Sequence, residues 1–248
     1  MIRRIGMART DREARSTRQV PSVVIAPAVL LAALALLACV LLRLATTPAH
    51  RPATPSPIDI GFAQSMSLHH RQAIGMAQLM LDGRPTPLTH LARNIAAAQL
   101  LELGQMQGWL QLWDAPLVAE KPGMDWMRLG DRALTQEELD YLLDCQRSPT
   151  GMSGLATDEE VNRLRQLEGR DRDAHFLRLM LAHHEGGLPM ARFVAEQARI
   201  PVVRELAARV VLEQSKEIYL MRRMLAALAA DEAALTPTPA ATPGAATR

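Results

Sequence analysis

Two stretches of this chain carry the same chemically capable residues in the same order. The first reads Asp59, Phe62, Met66, His69, His70 and then Met76-Ala77. The second reads Asp173, Phe176, Met180, His183, His184 and then Met190-Ala191, every position displaced by 114 residues. Downstream, Gln99, Glu102 and Met106 are answered by Gln214, Glu217 and Met221, displaced one residue more. A displacement held over so many positions marks an internal duplication. Imidazole and thioether donors are the set that suits Cu(I), whereas Mg(II) and Ca(II) want an oxygen-rich cage. The chemistry on offer is therefore transition-metal binding, with copper, as Cu(I), the ion the donors favour.

Helices must position these groups. Asp59, Phe62, Met66, His69, Ala73, Met76 and Met80 follow at alternating steps of three and four, one face of a single helix. Asp173, Phe176, Met180, His183, Gly187, Met190 and Val194 repeat the rhythm. Turn residues follow each run, Asp82-Gly83-Arg84-Pro85-Thr86-Pro87 and Arg199-Ile200-Pro201. Each copy then returns on a second helix, with inward faces Ile95, Gln99, Glu102, Met106, Trp109, Trp113 and Val210, Gln214, Glu217, Met221, Met224, Leu228. Two hairpins that each bury one face pair into a four-helix bundle. Centring the turns near Pro85 and Ile200 sets His69 level with Glu102, His183 with Glu217, Met66 near Met106 and Met180 near Met221. Each hairpin is thus expected to gather its own set of ligands.

Every one of these residues also has a structural reading. On one helix His69 and Met76 differ in height by about 10.5 Å, against about 4.5 Å for Met66 and His69, so Met76 and Met190 serve a second site or simply pack. Met224 reads as packing, as does Met80, which the second copy replaces with Val194. Adjacent histidines point about 100° apart, so one can face the core while the other lines a groove. The structural alternative is a buried His-Glu hydrogen bond that fixes the bundle's register. Asp59 and Asp173 are helix caps or acidic ligands, and Phe62 and Phe176 are core. Met124, Met127 and Met152 fall in the loop-rich middle, where exposed methionines would extend copper capture or have no role. His50, His90 and His175 match no repeat position.

The duplicated strings resemble the family catalogued as domain of unknown function 305, whose hallmark is F-x-x-x-M-x-x-H-H followed by Met-Ala six residues after the second histidine. Both copies fit, and the resemblance runs from Ile58 to Leu228, including Gly151-Met152. It implies a ferritin-like helical fold, export from a bacterial cell and metal handling, usually of copper. Departures are Ser67, Leu68 and Pro189, the last expected to kink the second motif's helix.

Elsewhere the sequence speaks to location. The run from Val23 to Leu42 carries no charge and is long enough to span a bilayer as a helix. Six arginines precede it, Arg3, Arg4, Arg9, Arg12, Arg15 and Arg18, against Asp11 and Glu13. By the positive-inside rule that end stays cytoplasmic and the rest is exported. Leu36-Leu37-Ala38-Cys39 also has the outline of a lipoprotein cleavage site acylated at Cys39, but the apolar run continues past the cysteine. With Cys145 the only other cysteine, no intramolecular disulfide staples the exported part. The organisation read from the sequence is a basic segment 1–22, an anchor 23–43, a proline-rich linker 44–57, a bundle 58–230 and a tail 231–248. Within the bundle, repeat 1 is 58–113, a connecting segment 114–170 and repeat 2 171–230. Capping boxes at Thr135/Glu138 and Thr157/Glu160 open two short helices in the connection, Gly169 suits the end of the second, and 114–130 reads as irregular.

The fold class expected is all-α, a ferritin-like four-helix bundle of duplicated hairpins with an N-terminal transmembrane helix. No Glu-x-x-His supports a di-iron site, His184-Glu185 does not extend to His-Glu-x-x-His, and no Gly-rich phosphate loop or nucleophile-base pair is present. A non-catalytic, membrane-tethered copper binder for sequestration, delivery or resistance is the expectation. Its rivals are a structural domain contacting another envelope protein, and a copper-dependent oxidoreductase. With no basic stripe in the nearly neutral exported part, nucleic acid is not an expected partner.

Overall fold

The structure is a computed structural model that describes residues 25–46, 54–121 and 123–235. Its regular elements are all helical: α1 (Ile25–Thr46), α2 (Pro57–Leu79), α3 (Thr89–Leu112), a 3-10 turn (Asp125–Leu129), α4 (Gln136–Arg147), α5 (Asp158–Gln166), α6 (Gly169–Gln197) and α7 (Pro201–Leu235). No strand occurs among the described residues. The basic segment 1–22 and most of the tail lie outside them.

Helix α1 belongs to a unit of its own, separate from the unit that begins at Ala53. Its described span covers most of the expected anchor 23–43 and runs on through Arg43 to Thr46. Its leucines and valines, among them Leu31, Leu36 and Leu42, are exposed. Among the described residues no helix is long and apolar enough to count as a membrane span.

In the second unit, α2 packs on α3, α6 on α7, and the two hairpins meet through α2 and α6. The duplication governs how they meet. Met190, late in α6, clusters with Met66 early in α2, while Met76, late in α2, clusters with Met180 early in α6. The two motif helices therefore run antiparallel, each copy reading the other in reverse. Their ends are locked symmetrically. Asp59 completes a capping box with Ser56 and also accepts from the Arg199 and Ile200 amides at 3.3 and 3.0 Å, holding the α6–α7 turn. Asp173 accepts from the Thr86 hydroxyl at 2.6 Å, holding the α2–α3 turn. Arg172, almost fully buried, reaches the Leu79 carbonyl and the Asp82 carboxylate, so the start of α6 is bolted to the end of α2.

The connecting segment lies on the α2/α6 side. Both capping boxes form as expected. Gly169 does not end α5 but opens α6, with a left-handed φ of 51°. The 3-10 turn seats Trp126 against α2, where a Cβ on Gly61 would lie 2.3 Å from the indole. Trp126 Nε1 donates to Ser65 Oγ at 3.0 Å. Met124, Met127 and Met152, expected to be exposed, are instead buried in the core around Phe62 and Phe193, because this segment folds over α2 as part of the core. Pro189 sits inside an uninterrupted α6. Helix α7 continues past the expected boundary at 230, to Leu235.

Candidate metal centre

All four histidines of the repeats are fully buried. One histidine of each pair, His69 or His183, faces the α2/α6 core, and the other, His70 or His184, lies between the helices of its own hairpin against Glu102 or Glu217, in a groove closed to solvent. The two copies do not keep separate sets. The His69 and His183 rings stack across the α2/α6 seam, with centroids 3.7 Å apart and planes inclined by 37°. His183 Nε2 bonds the His69 carbonyl oxygen at 2.9 Å.

The glutamates choose the other histidine of each pair. His70 Nε2 lies 2.7 Å from Glu102 Oε2, and His184 Nε2 lies 2.7 Å from Glu217 Oε2. The level expected from sequence was off by one residue, which on a helix is a turn of about 100°. That shift divides the labour. His70 and His184 look outward to a carboxylate, while His69 and His183 look at each other.

What remains unpartnered defines the chemistry. A carbonyl or an ionised carboxylate can only accept, so Nε2 of His70, His183 and His184 must carry the proton. In the neutral rings Nδ1 is then a bare lone pair. Nδ1 of all three has no hydrogen-bond partner, and neither nitrogen of His69 has one. The side-chain amides of Gln99 and Gln214, each 3% exposed, are likewise unpaired on both atoms. Buried polar atoms are ordinarily satisfied, so this many orphans near one plane of the bundle is a concentrated departure. Gly187 makes room for it: a Cβ there would stand 2.8 Å from His69 Cε1 and 3.4 Å from Gln214 Oε1.

Electrostatics keep the stacked rings neutral. Burial pushes His69 well below the ordinary histidine value, and His70 and His184 push the same way against a weaker pull from the His183 backbone. His183 is lowered for the same first reason, with His69 and His184 adding to it. A neutral imidazole is the form that ligates metal.

The methionines flank this plane. Met66 and Met106 pack in one cluster with Met190, and Met180 and Met221 in the other with Met76, all of them buried. Each cluster so joins two methionines of one repeat to one of the other, and the height that separates Met76 from its own histidine brings it to the opposite repeat's pair. Asp59 and Asp173 stand apart, about 15 Å along their helices from His69 and His183, with their oxygens committed to the hairpin turns. Among the described residues no three His, Cys, Asp or Glu side chains form a ready cage. The arrangement is a stack with free nitrogens, flanked by thioethers. Sequence reasoning missed Gly187 and its neighbour Gly186, although the repeat held a signal: the first copy has Gln72 and Ala73 at those places.

A duplicated all-helical domain with a histidine plane between methionine clusters is thus defined. The family model described as Domain of unknown function (DUF305) matches residues 59–225, and the chain belongs to that family. Solved structures similar to it include a putative secreted DUF305 protein from Streptomyces coelicolor, 35% identical with a TM-score of 0.59, covering 69% of this chain and 94% of that one. A DUF305 fragment from Deinococcus radiodurans is 28% identical with a TM-score of 0.52, over 69% of this chain and 97% of that one. CopM in the Cu(I)-bound form is 26% identical with a TM-score of 0.48, over 67% and 94%. No curated protein matches the chain.

Proposed function

We propose that this domain binds copper, as Cu(I), at the histidine plane, and that the protein sequesters or delivers the ion rather than transforming a substrate. The observation that carries this reading is the set of unpartnered Nδ1 atoms on His70, His183 and His184 together with both nitrogens of His69. A carboxylate behind a histidine, as Glu102 stands behind His70, fixes the ring's tautomer and raises the basicity of its other nitrogen. The glutamates would therefore orient ligands rather than bind the ion. The donor set fits a soft ion, since imidazole and thioether select Cu(I) and thioethers add little to a zinc site.

Helix α1 would tether the domain to the membrane. Its apolar composition and the arginines that precede it support a cytoplasmic N-terminus and an exported domain. A structural domain that docks on an envelope protein is the second reading, favoured by the two 2.7 Å His-Glu pairs, which by themselves would set the register of each hairpin.

Copper analysis of the purified protein decides between them. Because the histidines of both copies meet at 3.7 Å, the double variant His69→Ala/His70→Ala is expected to lose most of the bound copper and not merely half. Full retention by the four-alanine variant, which adds His183→Ala and His184→Ala, would leave only the structural reading.

A further inference from the structure

We infer that the ion reaches the histidine plane through the seam between α3 and α7, drawn in by the carboxylates of Glu102 and Glu217; this rests on the metal-binding reading above. The two faces of the domain differ sharply. On the α2/α6 face a strap closes the way. Gln72 Nε2 donates to the Ala156 carbonyl at 2.8 Å, and the Ala156 amide donates to Gln72 Oε1 at 2.7 Å. At the equivalent place on the other copy, Gly186 touches the strap backbone so tightly that a Cβ would lie 2.4 Å from the Ser153 carbonyl oxygen and 2.6 Å from Gly154 Cα. Gln72 and Gly186 each sit three residues beyond the first histidine of their pair, so the strap is fastened on both helices one turn from the stacked rings.

Among the described residues the opposite face has no such cover. Helices α3 and α7 pack on their hairpin partners but scarcely on each other. They meet at the rim through Arg209, which donates to Gln105 Oε1 at 3.3 Å. Gln105 lies one turn from Glu102, and Arg209 lies about two turns from Glu217, so the glutamate-bearing flanks face the same seam. Glu102 and Glu217 are the partly exposed members of the site, their side chains 17% and 23% accessible. One turn earlier on each helix come Gln99 and Gln214, nearly buried, with both amide atoms unpaired. On each repeat a partly exposed carboxylate bonds one histidine directly and an unpaired carboxamide lies one turn along the same helix, so polar groups run from solvent to the rings. Carboxylates lining a cleft raise the local concentration of cations and their association rate, roughly tenfold or more.

The test separates rate from capacity. Cu(I), supplied as its complex with a weak coloured chelator, is mixed with the full-length protein, and loss of the colour gives both the loading rate and the final stoichiometry. Glu102→Gln with Glu217→Gln keeps an acceptor for each histidine and removes the charge, along with the basicity the carboxylate lends the ring. Loading at low salt is expected to slow about tenfold and the rate gap to wild type should close in high salt, whereas the loss of affinity that follows from removing the carboxylate behind each ring persists at both salt concentrations. Gln72→Ala, which loosens the strap, is expected to leave the rate unchanged. Equal rates for wild type and the double glutamine variant, a rate gap that salt leaves unchanged, or faster loading in Gln72→Ala would each overturn the route. A wild-type protein that takes up no Cu(I) would remove the metal-binding reading itself, and the route with it.

Discussion

The metal-free domain should lose stability in mild acid, and the stacked histidines set the size of the effect. His69 and His183 are held neutral in the fold by burial, whereas in the unfolded chain each takes up a proton near pH 6.5. Below that value the unfolded state binds more protons than the native one, so the free energy of unfolding falls as pH falls. While both rings stay neutral in the fold, the limiting slope is about 1.4 kcal/mol per pH unit for each ring, and the pair costs about 2.4 kcal/mol between pH 6 and pH 5. Glu138 is lowered from 4.5 to about 2, chiefly by its hydrogen bonds with Arg132, and Asp82 is held below the usual range by Arg84, so both act at lower pH. Urea unfolding of apoprotein, followed by far-ultraviolet circular dichroism at pH 7, 6 and 5, measures the effect as a falling midpoint with constant slope. The variant His69→Leu/His183→Leu should flatten the dependence. A midpoint that does not move between pH 7 and 5, or that moves equally in the leucine variant, would refute the assignment of buried neutral rings.

Three further outcomes follow from the packing. Gly186→Ala should free the strap, since its Cβ meets backbone atoms that cannot rotate away; a net loss of about 1–3 kcal/mol and new proteolytic cleavage near Gly154 are expected. Gly187→Ala should change stability by less than about 1 kcal/mol, because the helix gains by losing a glycine while the His69 ring gives way, yet its copper affinity should fall in competition with a chelator. Asp59→Ala strands the Arg199 and Ile200 amides and should cost about 1–3 kcal/mol by thermal unfolding, with bound copper at low temperature unchanged.

The sequence by itself determined the helices, the duplication and the donor types. Steps of three and four place Phe62, Met66, His69 and Met76 on one stripe whatever surrounds them, because 3.6 residues per turn is a property of the backbone. The capping boxes at Thr135 and Thr157 were legible for the same local reason, each needing only residues three apart. Only the tertiary structure decided which histidine takes the glutamate, since one residue of register between antiparallel helices turns the face by about 100° and no local rule fixes it. It also decided that the copies interlock rather than stand side by side, so that Met76 and Met190 each complete the other repeat's cluster. The burial of Met124 and Met152 came from a strap whose path depends on two backbones touching at Gly154 and Gly186. Such contacts join residues far apart in the chain, and their energy exists only once both helices are in place.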